Sequence, residues 1–245
     1  MIPISRALCS TLHTTPLLRA SLHQSKIDLH LVTHREDAQD EEDFVVRAVA
    51  SVQGGARYVQ MRDTTKNLQA CLKTAYRLKA LLHGRARLIV NNYVEVAHAV
   101  KAGVHLGQND FPVAEARKLL GKKAIIGLTV NNLEQVILAN KQPVNYIGVQ
   151  VFPSEQTKPG VENCLGMDFK KVCQISRHPL VLIGGLTHET IPSLLSYLRP
   201  GDGIAMVGSL WRGSNPCAEA QSIRTLLDTP LLRKEPPHEF PLRRR

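Results

Sequence analysis

Eight short apolar runs, many of them β-branched, recur along this chain, at residues 29–33, 58–61, 88–91, 103–106, 124–128, 146–149, 180–183 and 204–207. A half-exposed antiparallel strand alternates apolar with polar residues. These runs are apolar at consecutive positions, as parallel strands covered on both faces are. The segments between them have helical period: Phe44, Val45, Ala48, Val49 and Val52 fall on one face, and Leu68, Leu72, Ala75, Leu78, Leu81 and Leu82 on another. Val94, Val96, Ala97 and Val100 repeat the pattern, as do Ala114, Ala116 and Leu119. Leu133, Val136, Ile137 and Ala139 follow, and later Ile191, Leu194, Leu195 and Leu198. Eight strand–helix units in 245 residues predict an α/β fold, a closed (β/α)8 TIM barrel of the phosphate-binding type, with an open doubly wound sheet as its competitor.

No linker rich in Pro, Gly or Ser interrupts residues 28 to 228, so the reading is one barrel domain flanked by an N-terminal extension (1 to 27) and a basic tail (229 to 245). The net charge of +10 is concentrated at these ends. Arg6, Arg19 and Lys26 stand in the first without an acid, and Arg233, Lys234, Arg243, Arg244 and Arg245 outnumber Glu235 and Glu239 in the second. The body is mildly basic, which suits an anionic small-molecule substrate. Aromatic residues make up 4%, too few for a base-stacking platform, so no nucleic-acid partner is expected. No apolar stretch approaches the ~18 residues of a spanning helix, so no membrane partner is expected either. Cys9, Cys71, Cys164, Cys173 and Cys217 lack any CxxC spacing and read as reduced thiols of a cytoplasmic protein. Residues 1 to 27 read alternatively as an organellar transit peptide. An exposed apolar helix face would serve a homo-oligomer contact.

In a barrel of this kind the functional groups sit where strands end and the following loops begin. Those points carry, in order, Gln60-Met61-Arg62-Asp63-Thr64, Asn91-Asn92, Gly107-Gln108-Asn109-Asp110, Thr129, Phe152-Pro153-Ser154-Glu155-Gln156-Thr157-Lys158, Gly184-Gly185 and Gly208-Ser209. Singly, each is ordinary turn chemistry. Together they place amides, carboxylates, hydroxyls, cations and glycines at seven consecutive strand ends. Gly184-Gly185 and Gly208-Ser209 allow backbone N–H groups to converge on a phosphate. Arg62 and Lys158 would hold a second anion from opposite sides. Asp110, and Asp63 beside Arg62, offer hard oxygen ligands for Mg²⁺, which is held by one or two carboxylates together with phosphate oxygens and water.

These segments resemble the thiamine phosphate synthase family, along residues 28 to 228. The most specific piece is Val104-His105-Leu106-Gly107-Gln108-Asn109-Asp110, close to the family's "VHLGQ-D". Val59-Gln60-Met61-Arg62-Asp63, Gly127-Leu128-Thr129-Val130, Val151-Phe152-Pro153 with Thr157-Lys158, and Ile183-Gly184-Gly185-Leu186 match further family segments in the same order. The resemblance implies a Mg²⁺-dependent transferase that joins hydroxymethylpyrimidine diphosphate to thiazole phosphate, giving thiamine phosphate and pyrophosphate. By the same resemblance Gln60, Arg62, Asn91, Thr129 and Lys158 contact the pyrimidine diphosphate, with Met61, Asp63 and Thr64 beside them, and Arg62, Lys158 and Thr129 act in catalysis. Asn92 and Asp110 take the metal positions. Glu155, Gln156, Thr157, Gly184, Gly185, Val207 and Gly208 take those around the thiazole phosphate.

The chain departs from the family pattern at four places. Thr64 stands where the family carries a lysine, with Lys66 the nearest replacement, and Asn92 stands where it carries an aspartate. The loop from Ser154 to Lys158 is one residue longer, and the serine expected near Ser209 is displaced or replaced by Gly208. Loss of a cation weakens diphosphate binding, and loss of a carboxylate weakens metal binding. Other readings of the same scaffold are a thiazole tautomerase, which needs no Mg²⁺ but for which Thr129-Val130-Asn131 offers no histidine, and a ligand-binding protein without turnover.

Overall fold

The computed structural model describes residues 27–65, 67–152 and 169–229. Its strands are β1 (Asp28–Val32), β2 (Tyr58–Met61), β3 (Arg87–Asn91), β4 (Gly103–Leu106), β5 (Ile126–Val130), β6 (Tyr146–Gln150), β7 (Leu180–Ile183) and β8 (Gly203–Met206). The helices are α1 (Glu41–Gln53), α2 (Leu68–Leu81), α3 (Val94–Ala99), α4 (Val113–Leu120), α5 (Leu133–Ala139), α6 (Phe169–Ile175), α7 (Ile191–Leu195), α8 (Gly208–Arg212) and α9 (Pro216–Asp228). Every neighbouring pair of strands is parallel, and β1 pairs with β8 through Leu29↔Ile204 and Leu31↔Met206. The sheet is therefore a closed barrel, not the open doubly wound alternative.

Successive residues of a strand point to opposite faces, and the two faces build separate cores. Leu29, Leu31, Val59, Met61, Val104, Leu106 and Ile147 join Phe44, Ala48, Leu78 and Trp211 in the layer between sheet and helices. Val32, Tyr146, Val181 and Ala205 pack inside the barrel. Gly127 admits the Tyr146 ring, since any Cβ there would collide with it. Side chains supply the helix N-caps: Asp40 accepts from Asp43 N at 2.8 Å, Asn132 from Gln135 N at 2.9 Å and Asn215 from Ala218 N at 3.0 Å.

The segment predicted as the fifth strand, 124–128, lies two residues early. β5 runs through Thr129 and Val130 because its pairing with β6 continues from Gly127↔Tyr146 to Val130↔Val149. Several helix positions also differ from the periodic reading. Leu68 and Leu81 of α2 are exposed while Cys71 and Thr74 are buried, and Leu119 and Ile137 face outward. Residues 1–26 and 230–245 lie outside the described residues, as do most of the extension and tail. Among the described residues, no helix is long and apolar enough to cross a membrane.

Candidate active site

The C-terminal ends of the strands form the mouth of the barrel, and the polar series gathers there. Gln60, next to last in β2, is buried near the Tyr146 phenol. Met61 does not belong to this set. It follows Gln60 on the strand, so it points the other way and is sealed between sheet and helices. Arg62 follows the strand, half-buried, and its backbone N donates to Thr33 Oγ1 at 2.9 Å. Asp63 is buried in a local turn, where its Oδ1 accepts from Thr65 N at 2.9 Å and from Thr65 Oγ1 at 2.6 Å. Thr64 donates its hydroxyl to Glu36 Oε1 at 2.8 Å, which ties the loop after β2 to the loop after β1.

Asn91 ends β3, and its Nδ2 donates to Asn92 Oδ1 at 2.9 Å. Asn92 has a left-handed backbone (φ 68), a conformation that Asn and Asp tolerate best among side-chain-bearing residues. Its N–H donates to the His105 carbonyl at 2.9 Å, so the turn is fixed to β4. Asp110 folds back over the loop after β4, accepting from Gly107 N at 2.6 Å. Gln108 Nε2 crosses to the Thr129 carbonyl.

His105, on β4, is a buried histidine beneath this set. Inside the barrel its Nδ1 meets Tyr146 Oη at 2.9 Å and its Nε2 meets Thr129 Oγ1 at 2.7 Å. Burial pushes the imidazole down to about 4, with the Asp110 charge opposing. It is therefore neutral at pH 7, one ring nitrogen donating and the other accepting. Burial likewise drives the Tyr146 phenol upward, against the lowering effect of the nearby Gln60 amide. Tyr146, His105 and Thr129 thus form one hydrogen-bonded chain under the mouth, set on β6, β4 and β5, with Gln60 of β2 near it.

On the opposite rim Gly184 (φ 91) and Gly185 (φ 57) follow β7 in left-handed conformations. A Cβ on Gly184 would lie 2.8 Å from both Gln150 Cγ and the Phe152 carbonyl oxygen, so only glycine lets these chains approach. Val207 follows β8 and is the N-cap of α8, the short extra helix with which such barrels commonly bind phosphate. A Cβ on Gly208 would meet nothing within 4 Å, so the space beside the first residue of α8 is open. Trp211 anchors α8 from below: Nε1 donates to the His34 carbonyl at 2.9 Å and the ring packs edge-on to Phe44. Arg47, paired with Asp43 at 2.8 Å, adds a bond to the Trp211 carbonyl at 3.1 Å.

Pro153, Ser154, Glu155, Gln156, Thr157 and Lys158 lie outside the described residues, and so does Lys66. For a divalent cation the mouth offers the Asp110 carboxylate, with one oxygen already committed to Gly107, and the Asn92 amide oxygen, already accepting from Asn91. Among the described residues no group of three or more His, Cys, Asp or Glu could hold a metal. This donor set suits an ion that arrives with the oxygens of a bound diphosphate, as Mg²⁺ does, better than a preformed protein cage.

The chain matches the family model described as thiamine monophosphate synthase over residues 29–210. It is 38% identical over 183 residues to the thiamine-phosphate synthase of Albidiferax ferrireducens, covering 73% of this chain and 82% of that one. It is 33% identical over 213 residues to the thiamine-phosphate synthase of Phocaeicola vulgatus, covering 84% of this chain and 100% of that one. Among solved structures, thiamine phosphate pyrophosphorylase from Pyrococcus furiosus superposes with a TM-score of 0.72 at 26% identity, covering 83% of this chain and 96% of that one. Orotidine 5'-monophosphate decarboxylase from Methanocaldococcus jannaschii, at a TM-score of 0.60 and 15% identity with 82% and 98% covered, shares the fold alone. With a model spanning eight strands and relatives matched along nearly their whole length, this chain belongs to the thiamine monophosphate synthase family.

Proposed function

We propose that this protein is a thiamine-phosphate synthase, a transferase that joins hydroxymethylpyrimidine diphosphate to thiazole phosphate and releases pyrophosphate. The observation that carries the reading is the match to thiamine-phosphate synthases along most of the chain, on a barrel whose mouth collects Gln60, Arg62, Asn91, Thr129 and Asp110. The reaction breaks the C–O bond to the diphosphate and forms a C–N bond to the thiazole nitrogen, through a pyrimidine-methyl cation. Such a step needs stabilisation of the departing negative charge and a nucleophile held in line. It needs no dedicated general base.

Arg62 takes the departing diphosphate, with Lys158 as the second cation that the family resemblance assigns to it. Asn91 and the Thr129 hydroxyl orient the pyrimidine end, and Gln60 holds it from the lumen side. The neutral His105 and Tyr146 fix the rotamer of Thr129 and keep water from the apolar side of the cation. Gly184, Gly185 and the backbone at Val207 and Gly208 receive the thiazole phosphate, to which the family resemblance also assigns Glu155, Gln156 and Thr157. Mg²⁺, held by Asp110 and the Asn92 amide, would neutralise charge on the diphosphate. We take residues 28 to 228 as the catalytic unit, so a chain cut to those bounds keeps the activity.

The test is purified protein with both substrates and Mg²⁺, assayed for thiamine phosphate beside the Asn92→Asp, Thr64→Lys double variant. Turnover by the unaltered protein supports the proposal. The double variant then binds Mg²⁺ and the diphosphate more tightly, lowering both half-saturation values by about tenfold for roughly one charge-assisted contact each. Turnover by the double variant alone means that the chain retains the cup and has lost the reaction. Product from neither rejects the reading.

A further inference from the structure

The face of the barrel opposite the mouth carries a groove of about 1050 Å³ that the transferase reaction does not use. Its cations are Arg57, Lys79, Arg85, Arg87, Lys101 and Lys123, and among the described residues its one carboxylate is Asp28. Arg57 immediately precedes β2 and Arg87 opens β3, and they are joined by a 2.9 Å backbone bond from Arg87 N to the Arg57 carbonyl. Arg85, Lys101 and Lys123 come from the three successive loops that lead into β3, β4 and β5. These three and Arg87 are exposed, and the cations gather on one wall-to-wall concavity.

Cations near helix C-termini complement the helix dipole, and that accounts for Lys79, whose Nζ donates to the Lys101 carbonyl at 2.7 Å. It does not account for Arg57 and Arg87, which precede and open strands, nor for the crowding of six basic side chains against one acid. Asp28, 3.8 Å from Arg57, is itself partly buried, and burial raises its carboxyl while Arg57, Arg224 and Arg87 pull it back down. It cannot neutralise the groove. Nor can residues 1–26, which contain no Asp or Glu.

The groove runs into a smaller pit of about 280 Å³ at the bottom of the barrel, with Asp28, Tyr58 and Arg87 lining both. There Tyr58 stacks on His30 at 4.2 Å between ring centroids, and Tyr146 lies behind them. A concavity of this size with several converging cations has the dimensions of a small-molecule site. A nucleic-acid strand would want exposed aromatic platforms, and a membrane would want a flat apolar rim.

We infer that this groove on the N-terminal face binds a compact polyphosphate, either free or as the phosphate chain of a nucleoside di- or triphosphate whose ring enters the pit. Its phosphates lie on Arg85, Arg87, Lys101 and Lys123, away from the site of transfer.

The experiment titrates the full-length protein, in chelator, with tripolyphosphate, ATP and adenosine. It compares the unaltered chain with Arg62→Ala at the mouth and with the Arg85→Glu, Lys101→Glu, Lys123→Glu triple variant. Expected are binding of tripolyphosphate or ATP unaffected by Arg62→Ala, and a loss of about tenfold or more in the triple variant. Circular dichroism melting of the triple variant should match the unaltered chain. If the triple variant does not fold, the single changes Arg85→Gln and Lys123→Gln, on exposed loops, should each weaken binding in the same direction. Equal affinity for both phosphates identifies free polyphosphate as the ligand, and tighter ATP identifies the nucleotide. The inference is overturned if adenosine binds as well as ATP, if Arg62→Ala removes the binding, or if the loop variants bind normally. It is also overturned if nothing binds by ~1 mM, the weak end of specific affinities, or if single-stranded RNA binds and tripolyphosphate does not displace it.

Discussion

The Thr129 hydroxyl sits 2.7 Å from a buried imidazole nitrogen and borders the mouth on its other side, so it has two partners to satisfy. Replacing it by valine keeps the shape and leaves His105 Nε2 without a bond. The expected cost is about 1–3 kcal/mol of stability, the usual penalty for an unsatisfied buried polar group, read as a lower urea midpoint. Thr129→Ser, which restores the hydroxyl, should recover most of it. Asn92 makes the same point about a single position. Its left-handed φ and its bond from Asn91 would both survive a change to aspartate, so Asn92→Asp should alter metal affinity while leaving the melting temperature within a few degrees. The strand-end polar residues stood out in the sequence because polar atoms rarely follow apolar runs in such a regular series. Their parity did not stand out. Met61 stands in the polar series between Gln60 and Arg62, and only closure of the barrel decides that it faces the helices.

Elements hold the two halves of the mouth by different means. The β3, β4 and β5 ends are laced to one another by the His105 and Gln108 bonds, whereas α8 is held from outside the barrel by α1 and the loop after β1. Trp211→Ala therefore removes a fully buried ring and should destabilise by about 3–5 kcal/mol, beyond what a small domain tolerates easily. Trp211→Phe keeps an aromatic ring but removes the bond to the His34 carbonyl and part of the buried volume. Its expected effect is a looser α8, seen as a raised KM for thiazole phosphate with kcat little changed. Gly184→Ala tests the β7 rim: a Cβ within 2.8 Å of the Phe152 carbonyl at φ 91 should lower the melting temperature and weaken phosphate binding together. The order of strands and helices was readable because consecutive apolar positions and 3.6-residue periods are local signals. Exposed Leu68, Leu81 and Ile137 misled the periodic reading, since a helix on a barrel covers the sheet with a narrower stripe than its full apolar face.

At the scale of the whole molecule, the barrel interior carries two buried imidazoles, His30 and His105, pushed down by burial to about 3 and about 4. In the unfolded chain both would titrate near 6.5, so between pH 6.5 and 4 the unfolded state binds more protons than the fold. Stability is therefore fully present above pH ~6.5 and falls as the pH drops towards 4, by up to ~3 kcal/mol for each group that stays neutral down to its folded value. Urea unfolding measured across this window should show a slope approaching about two protons, and no comparable slope between pH 7 and 8. A flat profile from pH 6.5 to 4 would mean that the interior is open to water. Opposite the mouth, the basic groove draws Arg57, Arg85, Arg87, Lys101 and Lys123 from separate stretches of chain. No window of sequence brings them together, and the overall charge of +10 does not locate them. By itself the sequence determined the parallel α/β architecture, the order of its units and the polar series at the strand ends, because each is written in residues close along the chain. The tertiary structure alone decided which side of each strand faces the lumen, that β5 runs on through Thr129, that His105 joins Tyr146 to Thr129, and where the positive charge converges. Those facts depend on closing β8 onto β1, and closure brings together residues far apart in sequence whose register no local pattern contains.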